Sequence, residues 1–81
     1  MILVIYPGMA PEFVLGLIPG EIISAAAKAL PDAEKDTEAF REATVDVPGG
    51  FKATIRFERF QFRSGKMSRW FWTPYSAERI E

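Results

Sequence analysis

The sequence predicts one small α+β domain, of the order β-α-(α)-β-β-β, with one or two helices packed on one face of a mostly antiparallel sheet. The first observation behind this prediction is the alternating pattern over residues 51–75, which is typical of a long β-hairpin. The second is the alanine-rich stretch 21–30, whose apolar residues recur at helical spacing. The third is the length: 81 residues suffice for one modest core, so residues 1–81 are predicted to form a single domain.

The composition is that of a soluble globular protein with an uneven charge distribution. Hydrophobic residues make up 48% of the chain and the formal net charge is −1, which argues against disorder. Residues 1–50 hold eight acidic and three basic side chains, a net charge of −5, whereas residues 51–81 hold three acidic and seven basic ones, a net charge of +4. The predicted hairpin therefore lies in the basic part of the chain.

The residue types present favour binding over catalysis. The sequence contains no cysteine and no histidine, which removes disulfides, thiolate chemistry and the commonest general base and metal ligand. The acidic run at 32–46 lacks the glycine and the spaced terminal glutamate of an EF-hand loop and contains Lys35, so we expect a solvated charged face there. We therefore predict a non-enzymatic protein without a cofactor or a bound metal.

The apolar run Ile2–Tyr6, which ends at Pro7-Gly8, is predicted to be a short buried strand. It is too short for a secretory signal, and no positive charge precedes it. Charged and helix-breaking residues interrupt the stretch 2–30 before about 20 apolar residues accumulate, so no transmembrane helix is expected. These features predict a cytoplasmic protein that does not bind a membrane.

Two helices are predicted to follow this strand. The first covers residues 10–18 and the second covers residues 21–30, and a proline follows and stops each of them. In the charged segment 32–42 that comes next, Asp32 or Asp36 can cap a further helical turn.

The remaining chain is predicted to be mainly strand. A strand at 43–47 leads through the turn Pro48-Gly49-Gly50 into the hairpin. Residues 76–81 have only Ile80 as an apolar anchor, so we expect a helical turn or a frayed tail.

The turn of the hairpin decides which side chains share a face. With a two-residue loop, Ser64-Gly65, Phe57 lies opposite Trp72. One face then combines Ile55 with Phe57, Arg59, Trp70 and Trp72, and the other holds Phe60, Phe62, Met67, Arg69 and Phe71. With a three-residue loop that includes Lys66, Phe60 lies opposite Trp70 and Phe57 moves to the far side. In either register both faces carry large aromatic residues, and packing on the helices explains only one of them.

One explanation of the second aromatic face is structural. A β-bulge near Glu58-Arg59 shifts the alternation by one residue. Such a bulge brings Phe60 and Phe62 to the core side and leaves Arg59 in solvent.

The second explanation, which we adopt as the predicted function, is a protein partner or a second copy of the chain. Exposed Trp, Phe and Arg side chains are typical of interface hot spots, and a hairpin edge can pair with its symmetry mate. The acidic first half of the chain also has the charge to face the basic hairpin of a second copy. The predicted partner-binding residues are Arg56, Arg59, Arg69, Trp70, Phe71 and Trp72.

The alternative function is the binding of single-stranded nucleic acid by the same hairpin, with aromatic rings stacking on bases and basic side chains contacting phosphates. No recognition motif is matched, and the isoelectric point of about 5.4 is far from that of typical nucleic-acid-binding domains. The candidate contacts are Lys52, Arg56, Phe60, Phe62, Arg63, Lys66 and Arg69. A minor alternative, resting on size and charge distribution alone, is an accessory or inhibitor protein of a phage or other mobile element.

Overall fold

The computed structural model describes residues 11–80, which form two helices and three strands. Helix α1 spans Pro11–Leu17 and helix α2 spans Gly20–Ala29. Strand β1 spans Phe40–Val47, β2 spans Phe51–Ser64 and β3 spans Met67–Arg79.

The three strands form one antiparallel sheet in the order β1-β2-β3, so the long strand β2 lies in the centre. The helices pack on one face of this sheet, which confirms the predicted α+β class and both predicted helices. The strand predicted at Ile2–Tyr6 lies outside the described residues.

Strand β2 provides the centre of the core. Ala53, Ile55 and Phe57 alternate along it and are fully buried, and Val14 of α1 and Ala26 of α2 belong to the same buried cluster. We call the side of the sheet that these residues occupy the helix face. Because side chains alternate along a strand, the residues between them lie on the opposite side, the outer face, which neither described helix covers.

Two glycine-containing turns join the strands. Gly49 and Gly50 both have positive φ in the connection from β1 to β2. In the hairpin, Ser64 pairs with Met67 across the loop Gly65-Lys66, and Gly65 has a φ of 58°. A positive φ at the first loop residue alone is the pattern of a type II′ turn, which accepts glycine there without steric cost.

Both predicted hairpin registers are wrong, because the loop begins one residue later than expected. Arg59 pairs with Trp72 and Phe60 pairs with Phe71. The division of side chains between faces that was predicted for the two-residue loop is nevertheless correct. Each residue of β2 meets a partner two positions further along β3 than predicted, and a shift of two leaves every side chain on its face.

The hairpin contains a bulge, but on the opposite strand from the predicted one. Arg56 pairs with Ser76 and Phe57 pairs with Pro74, which leaves Tyr75 as the extra residue of β3. Pro74 has no N–H to donate to a neighbouring strand. A proline is tolerated at this position because β3 is an edge strand and has a neighbour on one side only.

The predicted bulge near Glu58-Arg59 is therefore wrong, since β2 alternates regularly from residue 57 to residue 64. Phe60 and Phe62 stay on the outer face with 45% and 54% of their surface exposed. Arg59 is partly buried on the helix face rather than placed in solvent.

The segment between α2 and β1 contains one isolated turn, as predicted. The Asp32 carboxylate accepts a hydrogen bond from the Glu34 N–H at 3.0 Å, and the Asp32 carbonyl accepts one from Lys35 N–H at 3.0 Å. The chain then extends, and β1 begins at Phe40, three residues earlier than predicted.

The predicted end of the chain is wrong. Residues from Ser76 onward continue β3 to Arg79 instead of forming a helical turn or a frayed tail. The pairing with β2 supplies what the sequence lacks locally: Ala77 is 2% exposed in the core, and the Ile80 N–H donates to the Lys52 carbonyl at 3.1 Å.

An ion pair fixes the entry into β1. The Arg41 guanidinium donates two hydrogen bonds to the Asp36 carboxylate, from Nε at 2.8 Å and from Nη2 at 3.0 Å. The Asp36 side chain is only 4% exposed. The hydrogen bond from Arg41, together with one from the Glu38 backbone, lowers the pKa of Asp36 from 3.8 to about 2.

We expect Asp36→Asn to lower the melting temperature at pH 7, and we expect this difference from the wild type to shrink as the pH falls towards 2. A carboxylate whose pKa is lowered on folding stabilises the native state above its unfolded pKa of 3.8, and this contribution is lost as the pH falls towards about 2. Melting curves of wild type and variant between pH 7 and pH 2 measure the difference. Asp46→Asn, which removes the same charge from the exposed side of β1, is the control. A difference that persists unchanged at pH 2 contradicts the assignment.

Candidate binding surface

Six large apolar side chains cluster on the outer face of the sheet. Their exposed fractions run from 36% for Phe40 to 65% for Met67. The register places all of them on the side opposite the helices or, for Tyr75, at the bulge beside it. We call this cluster the aromatic patch: Phe40, Phe60, Phe62, Met67, Phe71 and Tyr75.

Side-chain contacts hold the aromatic patch together. The rings of Phe60 and Phe71 pack across the hairpin with centroids 5.4 Å apart. The rings of Phe40 and Tyr75 meet edge to face at 5.6 Å. The Arg56 guanidinium lies 4.2 Å from the centre of the Phe40 ring, a cation–π contact. Four of the five rings of the patch, those of Phe40, Phe60, Phe71 and Tyr75, therefore already pack against neighbouring side chains.

The patch continues onto a two-stranded arm. Strand β1 starts at Phe40, opposite Glu58, and the last hydrogen bond on that side runs from the Arg59 N–H to the Ala39 carbonyl at 2.8 Å. Beyond this point only β2 and β3 continue, and we call the paired stretches 59–64 and 67–72 the arm. The arm contributes to the elongated shape of the molecule, with extents of 44 × 21 × 20 Å.

Charge is distributed unevenly along the outer face. Within the arm, the outer face carries one charged side chain, Arg69, and the turn beside it carries Lys66, whereas Arg59 and Arg63 lie on the helix side. At the opposite end of the sheet, Glu42, Asp46 and Glu78 lie on the outer face with only Lys52 and Arg56 among them. The outer face is thus apolar with a positive charge at the arm and has a small excess of acidic side chains at its other end.

The helix face of the arm is engaged by the chain itself. Arg59 Nε–H donates to the Ala33 carbonyl at 2.7 Å, and the Arg59 guanidinium lies 3.8 Å from the centre of the Trp70 ring. Trp72 Nε1–H donates to the Pro31 carbonyl at 2.7 Å. The Glu34 carboxylate accepts a hydrogen bond from the Trp70 backbone N–H at 3.0 Å. These contacts bind the segment 31–34 to the arm.

The predicted partner-binding residues are therefore divided between two faces. Arg56, Arg69 and Phe71 lie on the outer face beside the aromatic patch, whereas Arg59, Trp70 and Trp72 contact the segment 31–34. Of the predicted nucleic-acid contacts, Lys52, Arg56, Phe60, Phe62 and Arg69 lie on the outer face, Arg63 lies on the helix side of the arm, and Lys66 lies in the turn.

Three members of the patch, Phe40, Met67 and Tyr75, were not among the functional candidates predicted from the sequence. Phe40 was missed because it lies at the end of a charged segment. Its spacing of four and six residues from Thr44 and Asp46 nevertheless places it on the same, solvent-facing side of β1. Tyr75 reaches the patch only because of the bulge, which no sequence pattern indicates.

Other kinds of site have little support in the described residues. Among the side chains that the structure describes, no three Asp or Glu residues are placed to hold a metal ion. In the same part of the chain, neither helix has the length and apolarity needed to cross a bilayer.

No family model matches the chain, and no curated protein or solved structure is significantly similar to it.

Proposed function

We propose that this protein is a non-enzymatic binding module that acts through a protein–protein interface on the outer face of its sheet. The observation that carries the proposal is the exposure of six large apolar side chains, five on the outer face and Tyr75 at the bulge beside it. A monomeric soluble protein rarely exposes a contiguous apolar patch larger than a few hundred Å², and larger patches mark interaction surfaces.

The composition and order of the patch support a protein partner. Aromatic residues and arginine are enriched at interface hot spots, and here Arg56 and Arg69 flank the rings. The contacts between Phe60 and Phe71 and between Phe40 and Tyr75 restrict these side chains before a partner arrives. Less side-chain entropy is then lost on binding.

We expect the double substitution Phe60→Ser and Phe71→Ser to abolish association and leave the fold intact. The two rings are a half-exposed cross-strand pair, so their loss should cost only about 1 kcal/mol of folding stability. Association is measured by sedimentation of the purified chain and by affinity capture from the source cells, with thermal melting recorded for each variant. The control is Arg63→Ser, an exposed change on the other side of the same arm.

The proposal fails if the folded double variant associates as the wild type does. It also fails if the wild type neither self-associates nor retains any protein whose capture depends on Phe60 and Phe71.

The cytoplasm remains the predicted compartment.

A second candidate function, the binding of single-stranded nucleic acid, is favoured by one specific observation. The arm combines exposed rings of Phe60 and Phe62 with Arg69 on one face, and its stretch 59–77 contains no acidic residue. Binding to phosphates weakens steeply as salt rises, whereas an apolar protein interface holds or tightens. Titration of a labelled oligonucleotide at two salt concentrations therefore separates the two functions.

A further inference from the structure

We infer that the partner seated on the aromatic patch is a second copy of this chain, bound outer face to outer face with the strands of the two copies antiparallel. This inference rests on the proposed function and names its partner. Three features support a second copy as the partner: the position of the patch, the distribution of charge along the outer face and the dimensions of that face.

The pair Phe60 and Phe71 lies in the middle of the patch. Two residues away from the turn lies the level of Glu58, which pairs with Phe40, and the Phe40 ring meets the Tyr75 ring edge to face. Two residues towards the turn lies the level of Phe62 and Arg69. Both levels are about 6.7 Å from the central pair along the strands. Consider a two-fold axis that lies in the plane of the interface, runs perpendicular to the strands and passes the central pair. This axis places the Glu58 level of one copy over the Phe62 and Arg69 level of the other.

This exchange places opposite charges together. Arg69 of one copy comes over the level of Glu58 of the other, and the symmetry repeats the contact. Packed sheets are about 10 Å apart, which two long side chains can span. Further out, Lys66 in the turn of one copy reaches the level of Thr54 and Glu78 in the other, near the acidic end of the outer face. If the strands of the two copies were parallel, each level would lie over the same level of the other copy, so that Arg69 would face Arg69 and Glu58 would face Glu58.

The face is large enough for a stable dimer. A standard interface buries about 800 Å² per partner, and the described part of the chain is 44 Å long and 21 Å wide. Face-to-face packing also covers exposed aromatic side chains of both copies in one step. Pairing through the edges of the sheet leaves the patch exposed.

Charge reversal at the two exchanged levels tests this arrangement. We expect Arg69→Glu to weaken the dimer about 100-fold, because two symmetry-related Glu–Glu contacts replace Arg–Glu contacts, and like charges across an interface cost several kcal/mol. We expect Glu58→Arg to do the same through two Arg–Arg contacts. In an equimolar mixture of the two variants both contacts are again between opposite charges, so a heterodimer should form with nearly wild-type affinity.

The measurement is sedimentation equilibrium over a concentration series for the wild type, each variant and the mixture. Arg63→Glu is the matched control, since it makes the same change of charge on the other side of the arm and should leave the dimer unchanged. Rescue in the mixture also shows that both variants are folded.

Three results overturn the inference: a wild type that stays monomeric, a wild-type dimer that neither reversal weakens, and two weakened variants that do not rescue each other. A monomer that carries excess absorbance at 260 nm overturns it in favour of nucleic acid. The proposed function fails separately, when Phe60→Ser with Phe71→Ser changes neither self-association nor the proteins captured by the wild type.

Discussion

Replacement of Phe57 by alanine is expected to cost about 3–5 kcal/mol of folding stability, the largest effect of any single substitution considered for this protein. Phe57 is fully buried at the centre of β2, next to the bulge where it pairs with Pro74. A domain of 81 residues has a total stability of roughly 4–12 kcal/mol. The loss therefore leaves a large fraction of the variant unfolded, which urea denaturation followed by circular dichroism measures.

The matched control for this substitution is Phe60→Ala, on the same strand three residues further on. Phe60 is 45% exposed on the outer face, so we expect its loss to cost about 1 kcal/mol or less. Comparable losses for the two variants contradict the assignment of the helix face and the outer face.

Replacement of Trp72 by alanine is expected to cost about 3 kcal/mol, at the lower end of the range for large aromatic residues, because the side chain is only partly buried against the core. Its indole N–H also donates to the Pro31 carbonyl at 2.7 Å. Trp72→Phe keeps most of the ring and loses this hydrogen bond, so we expect a cost of about 1 kcal/mol. Both costs are measured by urea denaturation.

Hydrogen exchange adds a local readout for the same variants. Because Trp72 and Arg59 hold the segment 31–34 on the arm, the turn amides of Lys35 and Asp36 should exchange faster in Trp72→Ala. The adjacent substitution Phe71→Ala, on the outer face, should leave this exchange unchanged. Equal melting of Trp72→Ala and Phe71→Ala contradicts the role assigned to Trp72.

Much of the fold is determined by local sequence patterns. The helix that begins near Glu21 has its apolar stripe and a following proline within ten residues of chain, so no distant contact is needed to predict it. The alternation from Ala53 to Phe57 likewise determines which residues of β2 share a face. The two-residue length of the hairpin loop could be predicted from the sequence, because Gly65 accepts the positive φ that such a loop requires.

The register and the bulge depended on contacts between distant residues. Choosing between Ser64-Gly65 and Gly65-Lys66 as the loop requires the pairing of the whole hairpin, because both place a glycine in the turn. The continuation of β3 to Arg79 was missed for the same reason: its stability comes from pairing with Ala53 and Thr54, more than twenty residues earlier in the chain.

The composition of the candidate site was partly predictable, but its location was not. The order of residues along the hairpin places large aromatic residues on both of its faces and most of the basic charge in this part of the chain. Which face remains exposed depends on contacts with segments that are distant in the chain. The helices cover the side of Ile55 and Phe57, and the carbonyls of Pro31 and Ala33 bind Trp72 and Arg59. Packing and hydrogen bonding on that side leave the rings of the outer face available to a partner.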